Sequence, residues 1–296
     1  MDRLTAMRAF VAVSDAGGFA PAAGKLALSP SVVTRLVARL ENQLGIRLLQ
    51  RTTRSVTLTD AGARYLVRAR RILADVEDAE ESALAERGRP TGRLVVTASA
   101  MFGRLHVSPL MWRYLDAHPD VVGELTLADR NVNLVEDGVD LAVRIGHLSD
   151  SSLVARKAGS TRRVVVASPE YLARRGTPVT PLELVEHRTI QFTALVPLAE
   201  WSFARDGREL RVAVASQYVT NAADAALWAA EHDGGLTLAL SYQVADSVRD
   251  GRLRIVLAEF EPAALPIHFV YPTSRLLSAK VRSFVDLAAE TCDWNF

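Results

Sequence analysis

The sequence contains a single cysteine, Cys292, among its 296 residues. One thiol excludes an internal disulfide framework, and no group of cysteine and histidine residues has the spacing of a zinc site. Both absences are typical of a protein that works in a reducing compartment. We interpret the thiol as a spectator rather than a redox sensor.

Long uncharged apolar runs are absent as well. No such run approaches the roughly 18 residues that a membrane helix requires. The N-terminus, MDRLTAMRAF, carries charges where a secretory signal peptide needs an apolar core. The sequence therefore predicts a cytoplasmic protein with no membrane contact.

The motifs of common catalytic sites are also missing. The six histidines are scattered, no GxSxG elbow, phosphate-binding glycine-rich loop or HExxH motif occurs, and the acidic residues form no obvious metal set. We predict that the protein is not an enzyme and needs no cofactor or metal.

Charge is distributed unevenly between the two ends of the chain. Residues 1–72 contain 12 lysines and arginines against 4 acidic residues, a net of +8. Residues 73–296 contain 23 against 30, a net of −7, which gives the overall +1. A basic N-terminal region favours nucleic acid as a partner, because phosphate attracts cations at long range. Charge alone leaves a solvated basic face as the alternative.

Apolar spacing predicts two helices at the start of this basic region. The first has apolar residues every three or four positions and ends at a glycine pair: Leu4, Met7, Phe10 and Val11, then Gly17 and Gly18. The second, shorter helix repeats the spacing with Phe19, Ala22, Ala23 and Leu26.

A third helix begins near Ser29, a good N-cap, and Pro30, whose missing N–H would be unpaired at the first helical position. Its apolar stripe is Val33, Leu36, Val37 and Leu40, and its opposite face carries Ser31, Thr34, Arg35, Ala38 and Asn42. Helix, tight turn and second helix are typical of a helix-turn-helix. Short side chains let such a helix approach base edges in the major groove, where an arginine reaches guanine. The alternative is an ordinary exposed helix in a three-helix bundle.

The next segment predicts a wing followed by a long helix. Residues 48–58, LLQRTTRSVTL, indicate two short strands with Arg51 and Arg54 near the tip, where guanidinium groups can meet phosphate or the minor groove. Thr59 then caps a helix that runs to about residue 85. Its apolar residues alternate spacings of four and three, and we call this stripe the seam: Tyr65, Ala69, Ile72, Val76, Ala79 and Ala83. Such spacing favours packing against a partner helix. The alternative is that the seam packs on the protein's own body.

Residues 1 to about 90 resemble the winged helix-turn-helix of LysR-type transcriptional regulators. The matching run is FAPAAGKLALSPSVVTRLVARLENQLGIRLLQRTTRSVTLTDAG, which includes Arg51 and a TxAG-like Thr59, Ala61 and Gly62. Two positions depart from the family pattern, because Gly18 replaces a usual capping serine and Thr34 replaces a usual serine. Thr34 keeps the hydroxyl and adds a methyl group that can alter base preference. We expect these DNA-binding residues: Ser29, Pro30, Ser31, Thr34, Arg35, Arg39, Arg51 and Arg54.

The remainder of the chain predicts an α/β architecture with mostly parallel sheets. Strands are expected at residues 93–97, 123–128, 139–145, 162–167, 252–257 and 266–271, with helices at 104–117, 131–137, 222–232 and from Ser278. A hairpin is expected to turn at Asp206 and Gly207.

The family resemblance continues here, and it implies a periplasmic-binding-protein-like effector domain of two α/β lobes joined by two crossover strands. The predicted fold is therefore an α+β multidomain protein. Its domains are a winged helix-turn-helix at 1–58, a linker and dimerisation helix at 59–89, and an effector domain at 90–296. Lobe one would comprise 93–161 and 268–296, and lobe two 162–267.

Ligands of open α/β sheets bind beyond the carboxyl ends of the strands. That rule predicts an effector cleft lined by Ser99, Ala100, Met101, Phe102, Arg144, Ile145, Gly146, Gln191, Phe192 and Asn221. Helix N-termini and Arg144 would favour an anionic group. Alternatives remain for three residues: Arg144 in an internal salt bridge, Phe192 in the core, and Ser99 as a helix cap.

The predicted function is a bacterial-type, sequence-specific DNA-binding transcriptional regulator whose activity is modulated by a small-molecule effector between the lobes. Its expected partners are double-stranded promoter DNA, the effector and RNA polymerase. The chain is also expected to associate with itself as a dimer or tetramer. The competing hypothesis is a solute-binding or enzymatic α/β domain whose helix-turn-helix serves only as an interaction module.

Overall fold

The computed structural model describes residues 2–51, 56–84, 90–129, 132–134, 137–148, 153–196, 199–273 and 278–296. Its α-helices are α1 Arg3–Ala16, α2 Phe19–Lys25, α3 Pro30–Leu44, α4 Asp60–Leu84, α5 Ala100–Phe102, α6 Ser108–Ala117, α7 Pro169–Arg175, α8 Ala223–Glu231, α9 Ser241–Arg249 and α10 Ala279–Thr291. Its strands are β1 Leu49–Arg51, β2 Val56–Leu58, β3 Gly92–Ala98, β4 Val121–Leu127, β5 Leu141–Ile145, β6 Leu153–Thr161, β7 Arg163–Ala167, β8 Thr189–Phe192, β9 Glu200–Arg205, β10 Arg208–Ala213, β11 Ser216–Thr220, β12 Leu236–Leu240, β13 Arg254–Val256, β14 Leu265–Pro272 and β15 Trp294–Asn295.

Helices α1, α2 and α3 form the expected three-helix unit. Gly17 has φ +66° and ends α1, as a left-handed C-cap glycine does. Ser29 caps α3 and Pro30 occupies its first turn, as predicted. The apolar stripe of α3 is buried against α1, and the core members from α3 are Val33, Leu36, Val37 and Leu40.

The wing is fastened to α3 and α4 by local polar contacts. Glu41 of α3 accepts hydrogen bonds from the backbone N–H groups of Leu48 and Leu49, at 2.8 and 3.0 Å. The Thr59 hydroxyl accepts from the Gly62 N–H at 2.9 Å and donates to the Arg47 carbonyl at 2.9 Å. These contacts hold the start of β1 to α3 and the first turn of α4 to the loop that follows α3.

Gly62 permits this junction because α4 passes very close to the preceding loop. A Cβ at this position would lie 1.9 Å from the Leu48 carbonyl oxygen. No side chain fits there without moving the backbone. The glycine of the TxAG-like segment is therefore explained by a close approach of two backbones.

The first part of the α4 stripe packs on the domain itself, which corrects part of the predicted intermolecular seam. Ala69 is fully buried, and Tyr65 packs edge-on against Phe10 of the helix-turn-helix core with ring centroids 5.6 Å apart. Ile72, by contrast, is 41% exposed. The side chains of Ala79 and Ala83 lie outside the described residues.

The strands that follow α4 form two mixed sheets and the β9–β10 hairpin. The first sheet has the order β15-β6-β14-β5-β3-β4 and the second β11-β8-β12-β7-β13. The prediction of mostly parallel sheets holds for five of the nine strand pairs in these two sheets. The other four are antiparallel, because β14 runs opposite to both β5 and β6, and β7 opposite to both β12 and β13. Strands that carry the chain between lobes reverse its direction and thereby mix the sheets.

Two connections join the lobes, and one lies slightly earlier than predicted. The chain leaves lobe one at Thr161, the end of β6, and returns to it at Leu265, the start of β14, where these two residues pair. Residues 265–267 therefore belong to the first sheet rather than to lobe two. The proposed boundary moves from 267 to about 264.

Several local predictions were confirmed and two need correction. Asp206 and Gly207 both have positive φ, +50° and +74°, as a type I′ hairpin turn requires. The helix predicted at 104–117 begins earlier, because α5, a π-helical turn at Gly103–Val107 and α6 follow one another without a break. The helix predicted at 131–137 falls partly outside the described residues. Its described residues 132–134 and 137 are loop and turn.

Candidate functional site

The N-terminal turn of α3 presents short polar side chains held by local hydrogen bonds. Ser29 Oγ accepts from the Val32 N–H at 3.4 Å and lies 3.0 Å from Ser31 Oγ. Thr34 Oγ1 donates to the Pro30 carbonyl at 2.8 Å. Ser29, Pro30 and Ser31 are exposed. This end of the helix can therefore approach a surface closely, and its hydroxyls keep acceptor capacity toward that surface.

Arg35 and Arg39 extend the same exposed face by one further turn. Both side chains are exposed, and neither makes a hydrogen bond or ion pair with another residue that the structure describes. A guanidinium group without an internal partner keeps its donors for bases or phosphates. Among the predicted DNA-binding residues, those on α3 share one surface.

The wing is described only at its base. Arg51 ends β1 and its backbone pairs with Val56 of β2. Arg54 belongs to residues 52–55, which lie outside the described residues, and so does the Arg51 side chain. Both arginines remain sequence-based predictions.

A cavity of about 400 Å³ lies between the two lobes. This inter-lobe cavity is lined by residues of both sheets and of the loops that follow their strands: Thr97, Ala98, Ser99, Ala128, Asp129, Val132, Ala142, Val143, Arg144, Ile145, His147, Leu148, Phe192, Ala194, Leu195, Leu240, Tyr242, Gln243 and Leu265. Its volume falls in the lower part of the range of roughly 300–1,000 Å³ that small-molecule sites occupy.

Four predicted effector residues line the cavity: Ser99, Arg144, Ile145 and Phe192. The other six do not: Ala100, Met101, Phe102, Gly146, Gln191 and Asn221. Phe102 is fully buried, with its ring 5.1 Å from that of Tyr242 and 5.0 Å from that of Trp294, because the helix it begins turns it into the core.

The remaining corrections have similar local causes. Gln191 is buried and its amide donates to the Val196 carbonyl at 3.1 Å, so it serves the lobe's own structure. Asn221 is exposed outside the cavity. Met101 packs against the cores of both lobes. Ala100 and Gly146 use their backbone N–H groups internally, on Asp129 and Pro266.

Sequence analysis missed several polar residues of the cavity, chiefly Asp129, His147, Tyr242 and Gln243. Asp129 follows the carboxyl end of β4 closely, and Tyr242 follows β12. Because both residues follow the carboxyl end of a strand, as Ser99 does, the strand-end rule also indicates Asp129 and Tyr242.

The cavity contains polar atoms that the protein leaves available. The Ser99 hydroxyl is buried beside the Tyr242 phenol. Arg144 donates one bond, from Nη2 to the Val132 carbonyl at 2.7 Å. Burial raises the pKa of the Tyr242 phenol to about 12, and the phenol, which is protonated at neutral pH in any case, can donate a hydrogen bond. The site suits a small polar ligand with an apolar part.

Two negative findings apply to the described part of the chain. No group of three or more histidine, cysteine, aspartate or glutamate residues there could hold a metal ion. None of its helices combines the length and apolar character needed to cross a membrane.

Comparison with known proteins assigns both halves of the chain. Residues 4–63 match the bacterial regulatory helix-turn-helix model of the lysR family, and residues 87–293 match the LysR substrate-binding domain. An HTH-type transcriptional regulator of Haemophilus influenzae is 34% identical, over 95% of this chain and 98% of its own length. The regulator CrgA of Neisseria meningitidis is 35% identical, over 95% of this chain and 94% of its own length.

Solved structures agree with these matches. The structure of CrgA, a LysR-type transcriptional regulator, superposes with a TM-score of 0.63 at 32% identity and covers 97% of both chains. Full-length AphB, a virulence activator of Vibrio cholerae, superposes with a TM-score of 0.62 at 26% identity, over 98% of this chain and 99% of its own. With a helix-turn-helix at one end and a two-lobed α/β domain at the other, the chain belongs to the LysR family of DNA-binding transcriptional regulators and is not an enzyme.

Proposed function

We propose that α3 enters the major groove of promoter DNA and that its N-terminal turn contacts base edges. The observation that carries this proposal is the exposed face where Ser29, Pro30, Ser31 and Thr34 stand beside Arg35 and Arg39. Short side chains allow close approach, and the two arginines supply bidentate donors. Arg51 and Arg54 of the wing contact phosphate or the minor groove.

The DNA-binding proposal is tested in two steps. The genomic binding sites of the full-length chain are mapped, and selected fragments are then used in gel-shift experiments at physiological salt. We expect sequence-specific bands that survive an excess of random DNA. A helix-turn-helix that serves only as an interaction module would give no specific band under these conditions. The genes beside the mapped sites would also indicate the pathway.

We further propose that the inter-lobe cavity binds a small-molecule effector. The supporting observation is that residues of both lobes line one cavity, so that a ligand can stabilise one lobe arrangement over another. Only a difference in affinity for two arrangements shifts their populations. Altered lobe geometry then changes the spacing of the DNA-binding heads.

The effector proposal is tested by DNA footprints with and without a cell-derived inducer. Ser99→Trp fills the cavity and is expected to abolish the response while DNA binding survives. Asn221→Trp is the matched control, since it adds the same side chain at an exposed position outside the cavity. A normal response in Ser99→Trp would place the effector elsewhere.

Finally, we propose that the chain acts as a homo-oligomer through α4. On the predicted seam, Ile72 is exposed and Val76 is partly exposed, and neither belongs to the domain's own core, which leaves them for a second copy. A dimer would contact half-sites about one helical turn or a multiple apart. We also propose RNA polymerase as a partner and the cytoplasm as the location, because promoter DNA and the polymerase are found there.

A further inference from the structure

One acidic residue of the inter-lobe cavity occupies a position where an anionic ligand was expected. Asp129 Oδ1 accepts a hydrogen bond from the Ala100 N–H at 2.9 Å. Ala100 is the first residue of the continuous helix that runs through α5, the π-helical turn and α6. Helix N-termini stabilise negative charge. Here the protein's own carboxylate supplies that charge, so a ligand anion at this end would meet like-charge repulsion.

The cavity also contains a cation without a carboxylate partner. Arg144 uses Nη2 on the Val132 carbonyl and forms no ion pair with any residue that the structure describes. Asp129 likewise forms no salt bridge within the described ranges, so the two residues are not paired with each other. A guanidinium group offers five N–H donors, and a carboxylate accepts on two oxygens. Both groups therefore retain capacity for a ligand.

Apolar side chains form much of the remaining wall. Phe192, Leu240 and Leu265 are buried and line the cavity. Burial of apolar ligand surface against such side chains favours binding. A ligand without an apolar part would leave this wall unused.

We propose that the effector is a small zwitterion with an apolar body, its anionic group bound by Arg144 and its protonated amine by Asp129. This inference rests on the proposed effector function of the cavity and specifies the class of ligand. A simple carboxylate would satisfy Arg144 and place a second negative charge near Asp129. A simple amine would satisfy Asp129 and face Arg144. The buried Ser99 hydroxyl can donate to the anion or accept from the ammonium group.

The test is calorimetric titration of the full-length chain with matched compounds. Leucine and phenylalanine, with their β- and γ-amino homologues, are compared with the deaminated acids 4-methylpentanoate and 3-phenylpropanoate and the amines 3-methylbutylamine and 2-phenylethylamine. At least one zwitterion is expected to bind about 10- to 100-fold more tightly than both of its single-charge relatives, as a charged hydrogen-bond pair provides.

Two variants assign the charges to their residues. Asp129→Asn retains an acceptor for the Ala100 N–H and removes the charge, so it should erase the preference for the zwitterion over the deaminated acid. Arg144→Gln should erase the preference over the amine. Unchanged preferences in both variants would overturn the assignment.

Other outcomes separate this inference from the effector proposal itself. If a deaminated acid binds the wild type as tightly as the zwitterion, and Ser99→Trp abolishes that binding, the zwitterion class is wrong and the cavity remains the effector site. If no compound binds, the class is overturned, while a footprint response lost in Ser99→Trp preserves the site. Binding that persists in Ser99→Trp would overturn both.

Discussion

The side chains proposed to bind a partner are exposed in the DNA-binding domain and enclosed in a cavity in the effector domain. In the former, buried or half-buried polar groups such as Glu41 and Thr59 are bonded to the backbone of the same domain. The side chains proposed to meet DNA lie outside this framework, exposed on α3. In the latter, Ser99 and Arg144 line a cavity at the junction of two lobes.

This difference explains how one chain can combine a rigid DNA-binding domain with an adjustable effector domain. Internal hydrogen bonds fix the angle between α3, the wing and α4, so the DNA-contacting face has one geometry. A ligand between two lobes can bind one lobe arrangement more tightly than another and so shift their populations.

The rigid side of this comparison is most severely tested at Gly62. Gly62→Ala places a methyl group against the Leu48 carbonyl oxygen, and we expect a loss of about 3 kcal/mol in the free energy of unfolding of the DNA-binding domain. Hydrogen exchange measured by mass spectrometry should show faster exchange in residues 2–84. The effector domain, which contains all four tryptophans, at positions 112, 201, 228 and 294, should keep its fluorescence unfolding curve.

Gly24→Ala is the control for this variant. Gly24 lies in α2 of the same domain, and an added Cβ there would have no neighbour within 4 Å. We expect this substitution to be neutral or to stabilise by up to about 1 kcal/mol, as alanine does in a helix. Equal destabilisation by both alanines would contradict the close-approach explanation.

A second prediction concerns where the domain ends and self-association begins along α4. Ile72→Asp is expected to convert the oligomer to monomers in sedimentation experiments and to weaken binding to a full operator, because it places charge on the proposed seam. Val67→Asp is the matched control, since Val67 is similarly exposed on the same helix, 37% against 41%, and lies off the seam. Monomers from both variants, or from neither, would remove the seam from the proposal.

The DNA-contacting face itself is tested at Arg35. Arg35→Ala should lose roughly 1–3 kcal/mol at the cognate site if the side chain makes a bidentate base contact, with little loss on random DNA. Arg113→Ala removes the same charge from an exposed position on α6 and should leave both affinities unchanged. Equal losses for Arg35→Ala on both kinds of DNA would identify a phosphate contact instead.

The two regions differ in how well they could be predicted from the sequence. The reason is how far apart in the sequence the interacting residues lie. The start of α3 is determined by neighbours in sequence: Ser29 caps it, Pro30 occupies its first turn, and an apolar stripe follows. The positive φ values of Asp206 and Gly207 are similarly a local matter. Such features are therefore legible without any knowledge of tertiary contacts.

The cavity depends instead on which strands end at the same junction. Asp129 and Arg144 belong to different strand ends, and Tyr242 follows a strand of the other sheet, so their meeting depends on sheet order. The same limit explains α4, which packs Leu66 and Leu73 in its own domain and exposes Ile72. Periodicity identifies an apolar face and gives no information about what covers it.

The last prediction concerns pH, because the stability of the two domains is expected to depend on it differently. All six histidines lie between residues 106 and 268, outside the DNA-binding domain. His106 has its ring 4.8 Å from those of both Phe102 and Phe296, and this burial lowers its pKa below the ordinary value of 6.5 despite the opposing influence of Asp246. Burial lowers the pKa values of His187 and His268 in the same direction.

A histidine with a lowered folded-state pKa binds fewer protons when folded than when unfolded. Its contribution to stability is therefore complete above pH 6.5 and is lost as the pH falls toward the folded-state pKa. Each such histidine contributes at most about 1.4 kcal/mol per pH unit to the slope of the free energy of unfolding against pH. Tryptophan-detected unfolding of the effector domain should accordingly weaken between pH 6.5 and 5, whereas hydrogen exchange in residues 2–84 should show no comparable change in stability once intrinsic exchange rates are corrected. His106→Phe, which suits the aromatic surroundings, should flatten the tryptophan-detected slope; an unchanged slope would assign the acid sensitivity to His187 and His268.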